Sequence, residues 1–490
     1  MIGSGSGTAV VRVQNPATGR LLADVPSLDR EATLKLVGRA RAAQAAWRAA
    51  GFAARGALMR DMRKWLIDNR RQVIQTLVDE NGKPYEDAQL EFFYCADALG
   101  FWARQAPKWL ADERERPHSP LLLGRKVINR YIPYGVVGVI GPWNYPLLNN
   151  FGDAIPALMA GNSVVLKPAS ITPLSSLLMA EGMRVVGVPE DVFLVGTGCG
   201  STVGRALVDS VDMLHFTGST QVGKQLMEQA AKRLLPVTLE LGGKDPMIVL
   251  RDANLERAAN AAVWGALQNA GQTCISIERV YVETDAYEPF LARVLEKVAR
   301  LRQGPPDGPG DGRYWRDHIC RAGRRHRGAP SRRGRERRQD RDGRQAPFRA
   351  RLLLRAHGAN ERRSLDEDHV RGDLRPDSPH HASGERRGGL RLANDSSMGL
   401  DSSVFAGNPS HGEQVARRVQ SGAVIVNDVI ANYLAMEIPI GGVKDSGVGA
   451  RHGKIGIQKY CQRQNLVVTR VGRNRELYYF PYTKAAAKLT

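Results

Sequence analysis

The sequence predicts an α/β protein organised on a parallel, doubly wound sheet, and two patterns carry that prediction. Four short aliphatic runs, Val136 to Pro146, Ser163 to Pro168, Val192 to Gly196 and Met213 to Thr217, read as buried strands. Helical patterns fall between them at Phe151–Ala160, Leu174–Val186 and Thr202–Ser210. Strands alternating with helices need crossover connections, and crossovers produce parallel sheets covered on both faces. The length of 490 residues leaves room for roughly two to four such units.

Taken in order, the chain opens on a turn-rich stretch, Asn15 to Arg20, N-P-A-T-G-R. Asp29 is placed to cap a helix over Ala32 to Ala49, whose apolar residues recur at spacings of three and four. Further helices are predicted over 54–69, 71–81 and 85–110, the last kinked or broken at Pro107. The charged stretch Asp112–Arg116 and Pro117 end this helical run. Leu121 to Arg130 and Arg130 to Val139 read as short strands around Gly124 and a turn at Pro133, Tyr134 and Gly135.

Composition excludes several classes. Cys95, Cys199, Cys274, Cys320 and Cys461 are scattered, odd in number and without C-x-x-C spacing, so neither a disulfide framework nor a zinc site is expected. The N-terminus has no basic region followed by an apolar core, and no run approaches about eighteen apolar residues, which predicts a cytoplasmic protein without a membrane span. The formal charge of +20 would ordinarily suggest nucleic acid, but it is unevenly spread. Between Gly312 and Leu390 there are 22 arginines, no lysine and 11 acidic residues, more than half of the surplus.

Four stretches carry chemistry. Asn269 to Ser276 reads N-A-G-Q-T-C-I-S and sets Cys274 among small polar neighbours. A lone cysteine is most often a small buried apolar residue, and a free thiol titrating near pH 8.5 is a poor nucleophile at neutrality. Thirty-four positions earlier, Glu240 lies in V-T-L-E-L-G-G-K, where glycines allow close backbone approach. Asn144 lies in P-W-N-Y at the end of a predicted strand; an isolated loop asparagine is usually solvated. Phe216 to Lys224, F-T-G-S-T-Q-V-G-K, joins a strand to a helix, a joint that turns backbone N–H groups towards an anion. Its glycine spacing imitates a phosphate-binding P-loop, but Gln225 stands where such a loop needs Ser or Thr. Nor is it the G-x-G-x-x-G dinucleotide pattern.

These stretches together resemble the NAD(P)-dependent aldehyde dehydrogenase superfamily. The resemblance implies two doubly wound Rossmann-like α/β domains plus a small β oligomerisation hairpin. By that likeness 1–118 and 136–242 form the NAD(P)-binding domain, 243–455 the catalytic domain, and 119–135 with 456–490 the hairpin and C-terminal strand of a homodimer or homotetramer. It implies Cys274 as nucleophile, Glu240 as general base and Asn144 as oxyanion donor in the oxidation of an aldehyde to a carboxylic acid. Cofactor contacts are implied for Trp143, Lys167, Ser170, Gly218, Ser219, Gly223, Leu241 and Gly242. Many relatives keep a glutamate where this chain has Ser170. A carboxylate there would chelate ribose hydroxyls and repel a 2′-phosphate, so NADP is expected to be tolerated beside NAD. The likeness resumes at Leu392–Leu400, Gly422–Asn427 and Pro439–Gly449, with Ile440 where phenylalanine is usual.

Between Gly310 and Leu390 the resemblance disappears: no strand pattern, convincing amphipathic helix or E-E-x-F-G-P motif is present, and Ser331 to Arg344 reads S-R-R-G-R-E-R-R-Q-D-R-D-G-R. One reading is a disordered nucleic-acid-binding insert. The other uses the genetic code alone. Starting each codon one nucleotide later, His369 to Pro376, H-V-R-G-D-L-R-P, permits Met-Ser-Glu-Glu-Thr-Phe-Gly-Pro. The same offset across Asp311 to Arg316 permits Val-Asp-Ile-Gly-Ala, and across Gly384 to Leu390 permits Glu-Ser-Asp-Glu-Glu-Ala-Phe. Family-like strings in the right order under one offset point to two compensating frameshifts, near Asp311 and Leu390. Out-of-frame charge cannot replace buried strands, so 312–390 is expected to be disordered and the activity of the chain as written low or absent. Two rival readings follow: a catalytically dead cofactor-binding protein, and a basic nucleic-acid-binding protein acting through 312–390.

Overall fold

The computed structural model describes residues 9–119, 122, 124–302, 304, 353–356, 385–470, 476, 479 and 480. Its architecture follows from two parallel sheets. The first has the strand order 447–448, 237–240, 213–217, 136–140, 163–167, 193–195. All but the short Gly447–Val448 strand run parallel. The second has the order 353–356, 277–282, 245–249, 403–405, 425–426, all parallel. Every residue of Val136–Ile140, Ser163–Lys167, Met213–Thr217 and Asp245–Val249 is buried. Burial on both faces is why these strands read as unbroken aliphatic runs rather than alternating ones.

One face of the first sheet carries the helices Gly51–Asp68, Arg70–Asn81 and Tyr85–Trp109 in a large core around Trp102, Leu77 and Phe151. The opposite face packs Val37, Leu207, Leu214 and Leu226. The second sheet is covered likewise, by Ala258, Ala262 and Phe290 on one side and by Leu390, Ala393 and Ala416 on the other. A third, antiparallel sheet pairs Cys461–Thr469 with Arg125–Pro133 over nine residues, and Glu113–Glu115 adds its other edge.

Several local expectations change. Asp29 does cap the Arg30–Ala49 helix, accepting from the Ala32 N–H at 2.8 Å. The Tyr85–Trp109 helix runs on past Pro107, because the proline sits in its last turn and removes only a terminal bond. The turn-rich opening is the tip of a hairpin joining Val10–Gln14 to Leu21–Pro26, and Asn15 Oδ1 accepts from the N–H groups of Ala17 and Thr18.

Within 312–390 the Arg-rich run and the strings at 311–316 and 369–376 lie outside the described residues. Two elements there were not expected. Leu353–Ala356 pairs in parallel with Ile277–Val282 at the sheet edge; four residues are too few for a periodicity to register. Glu385–Asn394 is a helix whose Leu390 and Ala393, three apart, are buried on the second sheet. Its last carbonyls, Leu392 and Ala393, accept from the Arg279 guanidinium at 3.1 Å each.

Candidate active site

The loop before Cys274 is strained. Asn269, Ala270 and Gly271 follow one another with φ of 50°, 57° and 74°. For the two non-glycine residues that backbone costs on the order of 1–3 kcal/mol each, so the surroundings must hold it. Asp87 Oδ2 accepts the Asn269 N–H at 2.9 Å, and the Asn269 side-chain amide donates to the Asn144 carbonyl at 2.9 Å. Asn144 Nδ2 donates to the Gln272 carbonyl at 2.8 Å, and the hydroxyls of Tyr145 and Thr273 meet at 2.7 Å.

The Asn144 loop is braced in turn. A fully buried Lys83–Glu91 ion pair sits behind it, with Lys83 Nζ donating to the Asn144 carbonyl at 2.8 Å. Glu91 Oε2 accepts from the N–H groups of Leu147 and Leu148 at 3.0 Å each. The Cys274 loop and the Asn144 loop are therefore hydrogen-bonded into one unit. One Asn144 amide hydrogen is used on Gln272; the other has no acceptor among the described residues.

Glu240 ends the Val237–Glu240 strand of the first sheet, where Gly447 pairs with it. It is 6% exposed, and burial pushes its carboxyl up to about 7, against the pull of the Arg451 guanidinium. Glu240 Oε1 lies 3.9 Å from Arg451 Nε, too far for a hydrogen bond, and neither atom has a hydrogen-bond partner. Arg451 continues the buried charge chain: its guanidinium is 3.4 Å from Asp153, which lies 2.9 Å from His215, and His215 faces Lys459 at 3.3 Å. The thiol of Cys274 is pushed up to about 11 by burial, with Arg451 pulling it down and the charges of Asp245 and Glu240 adding to the rise. Gly243 permits this proximity, since a Cβ there would lie 2.8 Å from the Cys274 carbonyl.

Cys274 stands between two cavities. A cleft of about 30 Å³ is lined by Cys274, Glu240, Thr217, Asn432 and Arg451, room for roughly two waters. On its other side a cavity of about 300 Å³ opens to the surface between Tyr145, Leu148, Trp264, Ile275 and Tyr433.

A third space, about 880 Å³, runs along the carboxyl ends of the first sheet's strands, past Ile140, Lys167 and Phe216 to Val222 in the first turn of the Thr220–Ala231 helix. Ligands of open α/β sheets bind at such ends. Arg30, Arg205 and Lys232 also line it beside Asp209 and Glu228, so with Lys167 cations outnumber acids along this groove. Lys167 is 4% exposed, donates to the Pro168 carbonyl at 2.8 Å, and is pushed down to about 8 by burial.

The other sequence-predicted cofactor residues surround these spaces rather than all lining them. Ser170 Oγ donates to the Gly198 carbonyl at 2.7 Å, and Ser219 caps its own helix, accepting from Val222 N–H at 3.4 Å. The Gly218 N–H donates to the Glu240 carbonyl at 3.0 Å, tying the glycine loop to the end of the Val237–Glu240 strand. Gly223 packs on Leu241, where an added Cβ would fall 2.5 Å from Leu241 Cδ2. Leu241 lines the small cleft, and its N–H donates to the Ser446 carbonyl at 2.9 Å. The Gly242 carbonyl accepts from Ser446 Oγ at 2.7 Å, and that of Trp143 from Asn81 Nδ2 at 2.7 Å.

Sequence reasoning missed Arg451, Lys83, Glu91, Asp87 and Arg205. Each acts through a partner more than 50 positions away or through a groove, and no local spacing marks it.

The sequence pattern of the Aldehyde dehydrogenase family matches residues 3–311 and 385–466. A protein of Mycolicibacterium smegmatis named "Putative succinate-semialdehyde dehydrogenase", specified for NADP(+), is 38% identical over 470 residues, 94% of this chain and 89% of that one. The glutarate-semialdehyde dehydrogenase of Pseudomonas putida is 32% identical over 480 residues, 94% of each chain. The crystal structure of an NAD-dependent aldehyde dehydrogenase from Sinorhizobium meliloti superposes with a TM-score of 0.79 at 30% identity, covering 98% of this chain and 94% of that one.

Proposed function

The chain belongs to the aldehyde dehydrogenase family, NAD(P)-dependent enzymes that oxidise aldehydes, and we propose that Cys274, Asn144 and Glu240 carry the reaction here. One observation supports this most: the thiol lies between a cavity open to substrate and a water-sized cleft shared with a buried carboxylate. The Cys274 sulfur adds to the aldehyde carbon as thiolate, its proton released to solvent. The alkoxide that forms takes the second Asn144 N–H. When bound, the nicotinamide dinucleotide supplies the hydride acceptor, leaving a thioester on Cys274. Glu240 then removes a proton from a water in the small cleft, and the water attacks the thioester to release the acid.

Incubation with a p-nitrophenyl ester, without cofactor, tests the assignment directly: mass spectrometry should find the acyl group on Cys274 and nowhere else. Asn144→Ala is expected to lower kcat by about 10²–10³-fold, the scale of losing one oxyanion donor. Unchanged kcat would remove Asn144 from the site.

NADP should serve within about tenfold of NAD in kcat/KM, as Ser170 puts no carboxylate near the ribose and Arg205 and Lys232 line the groove. Discrimination against NADP by several orders of magnitude would refute this.

We read 1–118 and 136–242 as the cofactor domain, 243–455 as the catalytic domain, and 119–135 with 456–490 as the oligomerisation unit. The edge strand Cys461–Thr469, with Leu466, Val467 and Val468 exposed, suits a homodimer or homotetramer contact. No described helix is long and apolar enough to cross a membrane, and a cytoplasmic location fits the free thiols among the described residues.

The segment 312–390 is read as out of frame. In support, the family pattern stops at 311 and resumes at 385. Sequencing the DNA for 305–395 should restore Glu-Glu-Thr-Phe-Gly-Pro in one frame, and an uninterrupted written frame in the gene and its transcript would count against a sequence error. The nucleic-acid reading predicts salt-dependent binding lost with 312–390; nothing in the comparisons favours it.

A further inference from the structure

We propose that the substrate is an uncharged aldehyde with an apolar tail of about five carbons, not the carboxylate-bearing semialdehyde in the names of the relatives. This rests on the reading of Cys274 as the nucleophile. The 300 Å³ cavity in front of the thiol is walled mainly by Leu90, Leu148, Ile275, Val429, Trp264 and tyrosine rings. None of its described lining residues is Lys, Arg or His, and its single charged one, Asp428, is an acid.

Among the described residues, the cations close behind the wall are paired with acids. Arg257 pairs with Asp428 at 3.1 Å. Lys83, whose Nζ is 4.3 Å from the centre of the Tyr145 ring, is fully buried and paired with Glu91. Arg451, behind Tyr433, serves Asp153 and donates to Thr217 at 2.9 Å.

The hydroxyl groups of the wall are already partnered. The Tyr145 hydroxyl meets Thr273, and the Tyr433 hydroxyl donates to Asn149 at 2.7 Å. The buried oxygen left without a partner, Gln268 Oε1, is an acceptor and would repel a carboxylate. A carboxylate carried into this cavity would shed its water and meet no cation among the described lining residues, whereas an alkyl or aryl tail loses nothing. At the mouth Trp264, Leu434 and Leu90 are 40%, 66% and 38% exposed, an apolar rim that a tail of this kind would cover.

Hexanal and 5-oxopentanoate differ chiefly in a terminal ethyl group against a carboxylate and test the point as a pair. With the full chain carrying Cys274→Ala, which cannot form the adduct, calorimetry should show hexanal binding at least about 100-fold more tightly. Wild-type kcat/KM should follow the same order. Leu434→Lys, at an exposed position of the rim, should narrow the gap by strengthening 5-oxopentanoate alone. Equal or tighter binding of 5-oxopentanoate, or no binding of hexanal, overturns the proposal. Hexanal binding to the variant while the wild type forms no thioester would instead overturn Cys274 as nucleophile and leave the cavity's preference standing.

Discussion

Cys274→Ala is expected to lower aldehyde oxidation by on the order of 10⁶-fold, the scale on which an enzyme loses its nucleophile, while changing the melting temperature little. The second half matters as much as the first. Cys274 is half-buried and makes no side-chain hydrogen bond with the described residues, so removing the sulfur opens little space and leaves no polar group stranded. None of the other described thiols reaches either cavity that meets at Cys274. Cys95 and Cys461 are buried, and burial pushes both thiols up. Cys199 is exposed, and hydrogen bonds from Ser201 pull its thiol down. Alkylation should therefore strike Cys199 before Cys274, and a loss of activity on alkylation would identify nothing. The diagnostic measurement is the cofactor-independent acyl-enzyme, which should vanish in Cys274→Ala and persist in Cys199→Ser. An acyl-enzyme surviving in Cys274→Ala would place the nucleophile elsewhere.

The parts of this site that the sequence discloses share a property. Cys274, Glu240 and Asn144 each lie in a stretch whose neighbours are unusual: glycines beside Glu240, prolines around Asn144, small polar residues around the thiol. The Val136–Ile140 strand behind Asn144 is legible because burial on both faces demands an unbroken aliphatic run, whereas Val237–Glu240 and Ile277–Val282 carry polar and charged residues and are not. What holds the site was hidden. Lys83 and Glu91 look like two ordinary surface charges on a helical stretch, yet both are fully buried and brace the Asn144 loop. Asp87 lies in an acidic helix start and accepts from Asn269, 182 positions away. Arg451 follows a glycine-rich run that says nothing of its neighbours, and only the return of Gly447–Val448 to the first sheet brings it beside Glu240. Charge partners at such separations are tertiary facts. A sequence shows the charges without showing the pairing.

Glu240→Gln should separate the two halves of the reaction. Glutamine keeps the shape but cannot take a proton, so thioester hydrolysis is expected to slow by about 10²–10⁴-fold, the usual worth of a general base. The first turnover needs no water, so a burst of reduced cofactor near one per site should survive while steady turnover falls. A burst that falls as steeply as turnover would place Glu240 before the thioester, and unchanged turnover would remove its role. The pH dependence has a definite sign. Glu240 works only when deprotonated, and burial holds its carboxyl near 7, so wild-type turnover should drop about tenfold per unit below that pH and level off above it. Arg451 opposes that rise, so Arg451→Gln leaves desolvation less opposed and should move the acid limb to higher pH; Arg451→Lys, which keeps the charge, should restore much of it. A purely structural Arg451 would lower stability in both variants through its lost contact with Asp153, with no movement of the limb. The limb's position thus reports whether the guanidinium tunes the base or merely packs behind it.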